Sequence, residues 1–154
     1  MTSVNEFENI DDLYGEIVLD HYRNPRNQSQ VNEPDIQGHG FNPFCGDEIS
    51  LQIKLCDGLI DTVGFQGRGC SISQASTSLM TKSLKGMNLV QALAFYDLFH
   101  RLMHGNQLSE EEFESLGDIA ALSGVPKYPI RVKCALLGWG VLRDGLMQLD
   151  GDES

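Results

Sequence analysis

The chain has 154 residues, of which 41% are hydrophobic and 21% are charged, a composition typical of one soluble globular domain. Its formal charge of −11 disfavours nucleic-acid binding, because that binding depends on lysine and arginine contacts to phosphates. No apolar run approaches the roughly 18 residues that span a bilayer, and the acidic start of the chain shows no signal peptide. We therefore predict a cytoplasmic protein with flexible acidic termini and with no membrane or nucleic-acid partner.

The first half of the chain predicts one helix followed by a small sheet. Residues 10–22 repeat apolar side chains at helical spacing. In residues 48–55 the period changes to two, with Ile49, Leu51, Ile53 and Leu55 on one face. Asp57-Gly58 is a strong hairpin signal, so residues 60–66 should return as the next strand. With a further strand from residues 36–42, these segments form a three-stranded antiparallel sheet.

The second half predicts helices. One should run from Ser71 towards Gly86, a residue type that commonly ends helices. Asn88 can cap the next helix, and Ser109 opens a capping box before a short one. The apolar face of the helix after Asn88 is predicted to consist of Val90, Leu93, Ala94, Leu98 and Leu102. A last helix should span residues 130–148, weakened by three glycines, with Trp139 in the core. The whole chain, 1–154, thus reads as one α+β domain.

Three of the four cysteines lie in turn-rich or helix-start contexts that could bring them together: Cys45, Cys70 and Cys134. Asp47 follows the first of them by two residues. In a cytosolic chain such cysteines indicate metal or redox chemistry rather than disulfides. Three thiolates and a carboxylate suit tetrahedral zinc, and the hard oxygen ligand is the easiest to displace. This lability favours chemistry at sulfur over a purely structural role.

Simpler interpretations stay open for each of these residues. Any single cysteine can be a small buried hydrophobe, and Asp47 can be a turn residue. Cys56, which ends a strand-like run, is interpreted as a bystander. Placement at the start of a helix favours the thiolate form of Cys70 and Cys134.

Charged and imidazole side chains also lie near the cysteines or at ligand-like spacing. Arg68, Arg131 and Lys133 flank the predicted ligands and could offset the excess negative charge of three thiolates and a carboxylate. His100 and His104 have the i, i+4 spacing of metal ligands but lack the acid of an HExxH motif. We interpret these two, like His21 and His39, as core, loop or surface residues.

Three separated motifs together resemble the U-type iron–sulfur assembly family. They are Asn42-Pro43-Phe44-Cys45-Gly46-Asp47, Gly67-Arg68-Gly69-Cys70-Ser71 and Arg131-Val132-Lys133-Cys134-Ala135, and Leu13-Tyr14 and residues 20–27 match as well. The resemblance implies a SufE/NifU-like α+β fold. Within the family the chain is more similar to the SufU branch than to the IscU scaffolds, because Lys133 replaces the histidine that precedes the third cysteine. Residues 86–107 resemble the helical insertion of that branch.

The resemblance also implies a function. SufU-type members are zinc-dependent sulfurtransferases, which implies zinc bound by Cys45, Asp47, Cys70 and Cys134. Cys45 would accept persulfide sulfur from a SufS-like, pyridoxal-phosphate cysteine desulfurase, Arg131 would lie at the desulfurase interface, and a downstream Suf cluster-assembly scaffold would receive the product. A scaffold that builds and transfers a [2Fe–2S] cluster is the alternative, since the same thiolates suit iron. A third interpretation makes the zinc structural in an interaction domain.

Overall fold

The computed structural model describes residues 15–153, with side chains described for residues 15–149. Helix α1 spans Glu16–Arg23 and precedes three strands, β1 (Ile36–Asn42), β2 (Asp47–Cys56) and β3 (Leu59–Arg68). Four helices follow: α2 (Ser71–Leu84), α3 (Leu89–Met103), α4 (Glu110–Ser115) and α5 (Pro129–Glu153). Two short 3-10 helices, Gly117–Leu122 and Val125–Lys127, connect α4 to α5. The predicted α+β class is confirmed.

The sheet is antiparallel with the order β1-β2-β3, as predicted. Asp57 and Gly58 have φ angles of 54° and 79°, the left-handed pair that a two-residue hairpin with the sheet's natural twist requires. Alternate residues of β2 are buried against the helices. Leu55 leaves this alternation and is only half-buried, because the register shifts between Lys54 and Leu55.

Helix α5 lies across β1 and β2 and packs on α2. Glycines allow α5 to lie close to β1 and α2. A Cβ on Gly40 of β1 would lie 2.7 Å from Val141, and a Cβ on Gly138 of α5 would lie 2.6 Å from Thr77 Oγ1. At Gly138 the helix therefore gains close packing at the position where glycine lowers its helical propensity. It continues past its predicted end at Gln148 to Glu153.

Helix α3 begins at the predicted cap, with Asn88 and Gln91 forming a capping box. The predicted apolar face is only partly right: Leu93, Leu98 and Leu102 are half-buried against the core, whereas Val90 and Ala94 are exposed. The fully buried row lies elsewhere on the helix and consists of Ala92, Phe95, Phe99 and Met103. Val90 is 76% exposed. The aromatic rings decide the orientation, since Phe99 stacks on buried Trp139 with ring centroids 4.2 Å apart.

Several predictions fall outside the described residues. They concern the start of the first helix, the Leu13-Tyr14 motif and the flexibility of the acidic termini. The capping box at Ser109, in contrast, is confirmed by reciprocal hydrogen bonds with Glu112. Among residues 15–153 we find no helix that combines the length and the hydrophobicity needed to cross a membrane.

Candidate metal centre

Four segments converge at one end of the sheet, beside the start of α5. Cys45 lies in the turn between β1 and β2, and Asp47 is the first residue of β2. Cys70 immediately precedes α2, and Cys134 lies in the second turn of α5. The fold thus brings together residues that are separated by up to 89 positions in the sequence.

The sulfur and oxygen atoms of this end are close enough to share a cation. The Sγ atoms of Cys45 and Cys134 are 3.2 Å apart, and ligand atoms of Cys45, Asp47 and Cys134 all lie within 4.8 Å of one another. Cys70 adjoins this cluster, with its Sγ 3.8 Å from Asp47 Oδ2. Three of the four predicted ligands therefore form one cluster, and the fourth contacts its carboxylate.

Asp47 is held in place by the backbone that leads into α2. The N–H of Cys70 donates to Asp47 Oδ1 at 2.7 Å. A Cβ on Gly69 would lie 2.2 Å from the same oxygen, and its φ of 148° is one that side chains rarely allow. Gly69 therefore makes room for the carboxylate. Asp47 itself is fully buried, a position that a simple surface turn residue would not occupy.

The thiol of Cys134 differs from the expectation drawn from its place in the helix. It is fully buried, and burial together with contacts to Cys45 and Asp47 raises the pKa of this thiol. The neutral thiol is therefore favoured in the metal-free protein, despite the nearby start of α5. A thiophilic cation would supply the positive charge that a thiolate needs at this depth.

Asn42 belongs to the first cysteine motif but was not predicted as a residue of the site. It is buried, and its Nδ2 lies 3.9 Å from Cys134 Sγ. Its Oδ1 accepts a hydrogen bond from the Phe44 backbone and its carbonyl accepts one from the Gly46 backbone. Asn42 therefore shapes the turn that carries Cys45. The signal was available, since asparagine before proline often starts such turns.

Two of the flanking cations, Lys133 and Arg68, contact neighbouring side chains. The Lys133 ammonium lies 4.4 Å from the centroid of the Phe44 ring, and Arg68 pairs with Glu48 at 3.2 Å. Arg131 lies with Cys45 along an open groove of about 430 Å³, which is completed by Lys127, Tyr128, Pro129 and Ile130. Electrostatic support of the thiolates by these cations stays a prediction.

The remaining cysteine and two of the histidines lie elsewhere. Cys56 is exposed at the end of β2 beside the hairpin turn. His21 is buried and its Nδ1 lies 2.8 Å from Ser78 Oγ. His39 is exposed and its Nε2 lies 2.8 Å from a Glu48 oxygen. The core and surface roles predicted for these two histidines agree with their positions.

Residues 13–135 match the family model of the NifU-like N-terminal domain. The chain belongs to this family. It is 41% identical over 143 residues to the zinc-dependent sulfurtransferase SufU of Bacillus subtilis, covering 93% of this chain and 95% of that protein. It is 35% identical to the iron–sulfur cluster assembly scaffold protein IscU of Streptococcus pyogenes, covering 89% and 84% of the two chains.

A solved structure from the same NifU-like family agrees with the fold. The crystal structure of a putative iron–sulfur cluster assembly scaffold protein for the SUF system from Fervidobacterium islandicum superposes with a TM-score of 0.81. It is 32% identical and covers 88% of this chain and 98% of that one. The resemblance to the U-type family and the SufE/NifU-like fold are thereby confirmed.

Proposed function

We propose that this NifU-like protein is a zinc-dependent sulfurtransferase of iron–sulfur cluster assembly, acting in the cytoplasm on persulfide sulfur from a cysteine desulfurase. The observation that carries the proposal is the grouping of two thiols and a buried carboxylate within 4.8 Å, with a third thiol at the carboxylate. Similarity over 93% of this chain to the zinc-dependent sulfurtransferase of Bacillus subtilis supports the proposal.

The donor set fits zinc. Cys45, Asp47, Cys70 and Cys134 would provide three sulfur ligands and one oxygen ligand, the number and types that tetrahedral zinc accepts. When bound, zinc would keep the thiols deprotonated and lower their nucleophilicity. A carboxylate ligand is the weakest of the four for this metal, so the set is suited to exchange rather than to permanent closure.

Exposure and the adjoining groove support Cys45 as the sulfur acceptor, although Cys70 is half-buried as well. Cys134 is fully buried, whereas Cys45 is half-buried at the tip of a turn and opens into the groove that contains Arg131. The Cys45 thiolate attacks the outer sulfur of the desulfurase persulfide and forms a new S–S bond. The original S–S bond breaks, and its electron pair leaves with the desulfurase cysteine as a thiolate. Arg131, in the same groove, is proposed to contact the desulfurase.

The test is stimulation of the pyridoxal-phosphate desulfurase. Adding this protein should accelerate alanine release from cysteine, and Cys45→Ala should abolish that acceleration. Cys56→Ser is the matched control, because Cys56 is an exposed cysteine at the far end of β2 and should behave as wild type. The purified protein should contain about one zinc per chain, the content of one tetrahedral site. Unchanged desulfurase turnover in the presence of wild-type protein would sink the proposal.

A cluster scaffold is the second candidate function. It is favoured by the scaffold names of two relatives and by the suitability of the same thiols for iron. Against it, the position before Cys134 holds Lys133, whose ammonium lies over Phe44. Anaerobic reconstitution separates the two functions. A stable coloured species that passes its cluster to an apo-acceptor, together with the absence of a persulfide on Cys45, would favour the scaffold.

Persulfide mapping also addresses a structural role for zinc. Incubation with desulfurase and cysteine should label Cys45, and the sulfur should then pass to a downstream Suf scaffold. If zinc is present and no cysteine carries a persulfide, the metal is structural and the chain is an interaction domain.

A further inference from the structure

The groove beside Cys45 carries positive charge in a chain whose charge is strongly negative. The described residues that line it are Cys45, Lys127, Tyr128, Pro129, Ile130 and Arg131. Two of these side chains are cationic and none of them is acidic. The chain as a whole has 11 lysines and arginines against 22 aspartates and glutamates. The groove is therefore a local exception to the charge of the chain, and it adjoins the proposed sulfur acceptor.

Lys127 supplies a charge that the fold itself does not use. It is exposed at the end of the 3-10 helix Val125–Lys127, and it makes no ion pair with any residue of the described chain. Lys82, in contrast, pairs with Asp118 at 3.2 Å. The backbone N–H groups of Arg131 and Val132 already donate to the Tyr128 carbonyl. An anion in the groove would therefore be attracted by side-chain charge rather than by free backbone donors.

The size and walls of the groove suit a small molecule. Its volume is about 430 Å³, and sites for small molecules typically measure about 300–1,000 Å³, with mostly apolar walls and a few polar groups. Tyr128, Pro129 and Ile130 supply the apolar wall. The Asp47 carboxylate opposes an anion, but it is fully buried and accepts the Cys70 N–H, whereas the cations line the groove itself.

We propose that the groove binds small anionic thiols and that such a thiol takes the sulfur from Cys45. This inference rests on the proposed sulfurtransferase function and names the class of molecule that accepts its sulfur. The thiolate of the small molecule attacks the outer sulfur of the Cys45 persulfide, and a new S–S bond forms. The S–S bond to Cys45 breaks, and its electron pair stays on Cys45 as a thiolate. Sulfur leaves as the persulfide of the small thiol, without an oxidant or reductant, and that persulfide would carry it to the downstream scaffold.

Two disulfide reagents of different charge test the groove in the full chain. The anionic reagent is dithiobis-nitrobenzoate, the uncharged one is dithiodipyridine, and peptide mapping locates the modified cysteine. The ratio of the anionic to the uncharged rate at Cys45 should fall about 3-fold in Lys127→Gln, the effect of one screened surface charge. Lys85→Gln is the matched control, because Lys85 is an exposed lysine at the opposite end of α2 from Cys70. An unchanged ratio in Lys127→Gln would overturn the proposal.

Cys56 provides an internal comparison that needs no variant. Its Sγ lies 4.0 Å from a carboxylate oxygen of Asp57, so an anionic reagent should be disfavoured there. In the wild-type protein the rate ratio should therefore be higher at Cys45 than at Cys56, and added salt should bring the two closer. Equal ratios at low salt contradict a cationic groove. This measurement requires no desulfurase and no persulfide, so its outcome is separate from that of the proposed function.

Discharge of the persulfide tests the acceptor itself. Protein that carries a persulfide on Cys45 is separated from the desulfurase and offered mercaptosuccinate or uncharged mercaptoethanol at equal thiolate concentration. Mercaptosuccinate should discharge Cys45 about 3-fold faster, and Lys127→Gln should remove that advantage. Equal discharge by both thiols would overturn the proposal and leave a protein as the acceptor. If no persulfide ever forms on Cys45, the proposed function fails as well, and the reagent ratios show whether the groove still selects anions.

Discussion

The Asp47 carboxylate is fully buried at the first residue of β2, and its two oxygens have different contacts. Oδ1 accepts the Cys70 N–H at 2.7 Å, while Oδ2 faces the Cys70 sulfur at 3.8 Å. A buried charge is costly unless it is neutralised by a partner. The carboxylate therefore lies where a cation shared with the thiols would complete its neutralisation.

Replacing Asp47 should change metal exchange more than metal content. We expect Asp47→Ala to retain zinc on the three thiols but to release it about 10- to 100-fold faster to a chelator, since a supporting oxygen is lost. Desulfurase stimulation should fall in parallel. Asp47→Asn preserves an acceptor for the Cys70 N–H and therefore separates the hydrogen bond from the charge.

Asp61→Ala serves as the control for this experiment. Asp61 is an exposed aspartate in β3 whose carboxylate accepts from the adjacent Thr62. Its replacement should leave zinc content, release rate and desulfurase stimulation unchanged. An Asp47→Ala protein that equals wild type in all three measurements would make Asp47 a turn residue and nothing more.

At the scale of elements, α5 couples the sheet to the metal centre. It carries Cys134 in its second turn and packs on β1, β2 and α2 along its length. Small residues on both sides allow the approach, and a Cβ on Gly145 would lie 2.4 Å from Ile36 Cγ2. The position of Cys134 relative to Cys45 is therefore set by how closely this helix lies on the sheet.

Two glycines of α5 should respond oppositely to alanine. In Gly138→Ala the new methyl group would meet Thr77, so overpacking of about 1–3 kcal/mol should outweigh the gain in helix propensity. In Gly140→Ala nothing lies within 4 Å of the new methyl group, and stability should rise by up to about 1 kcal/mol. Urea unfolding midpoints measure both. Stabilisation by both substitutions would show that the α5–α2 contact is looser than described.

Signals from neighbouring residues were sufficient to predict the helices and strands, but not to predict which face of a helix is turned towards the core. The hairpin at Asp57-Gly58 and the cap at Asn88 depend on neighbouring residues alone, and both were predicted. The buried face of α3 depends on Trp139, which comes from a distant helix and stacks on Phe99. The fully buried residues of α3 repeat at helical spacing, as the predicted ones do, so periodicity alone does not decide which row is buried most deeply.

The same distinction applies to the site. Cys45, Cys70 and Cys134 could be proposed as partners because their residue types and motifs are informative without coordinates. The spacing of these residues along the sequence does not show that Cys134 is fully buried or that Gly69 lies against the Asp47 carboxylate. Both facts arise from the docking of α5 and the turn into α2, which are tertiary contacts.

At the scale of the whole molecule, a buried histidine joins the first helix to the second. His21 of α1 contacts Ser78 of α2 across 57 residues, and the same hydroxyl accepts the backbone N–H of Arg26. Burial is the main cause of the lowered pKa of His21. Folding therefore favours the neutral ring.

This shift makes stability depend on pH. The folded pKa of His21 lies below its ordinary value of 6.5, so its contribution is complete above pH 6.5 and is lost as pH falls from there through the folded pKa. The melting temperature should therefore fall as the pH is lowered below 6.5. In His21→Gln, measured at the same metal content, it should fall less steeply. His100, whose pKa is also lowered by burial, contributes with the same sign, so His100→Gln isolates its part. An equal slope in wild type and His21→Gln would contradict the assignment.

The proposed ligands are also far apart along the chain, with 89 positions between Cys45 and Cys134 and 23 between Asp47 and Cys70. In an unfolded chain they would be scattered, and a cation would meet them one at a time without the benefit of chelation. A bound metal therefore acts as a removable cross-link between the sheet, α2 and α5. Like a disulfide, the bound metal would link distant parts of the chain, but this link would open by exchange of a ligand rather than by reduction.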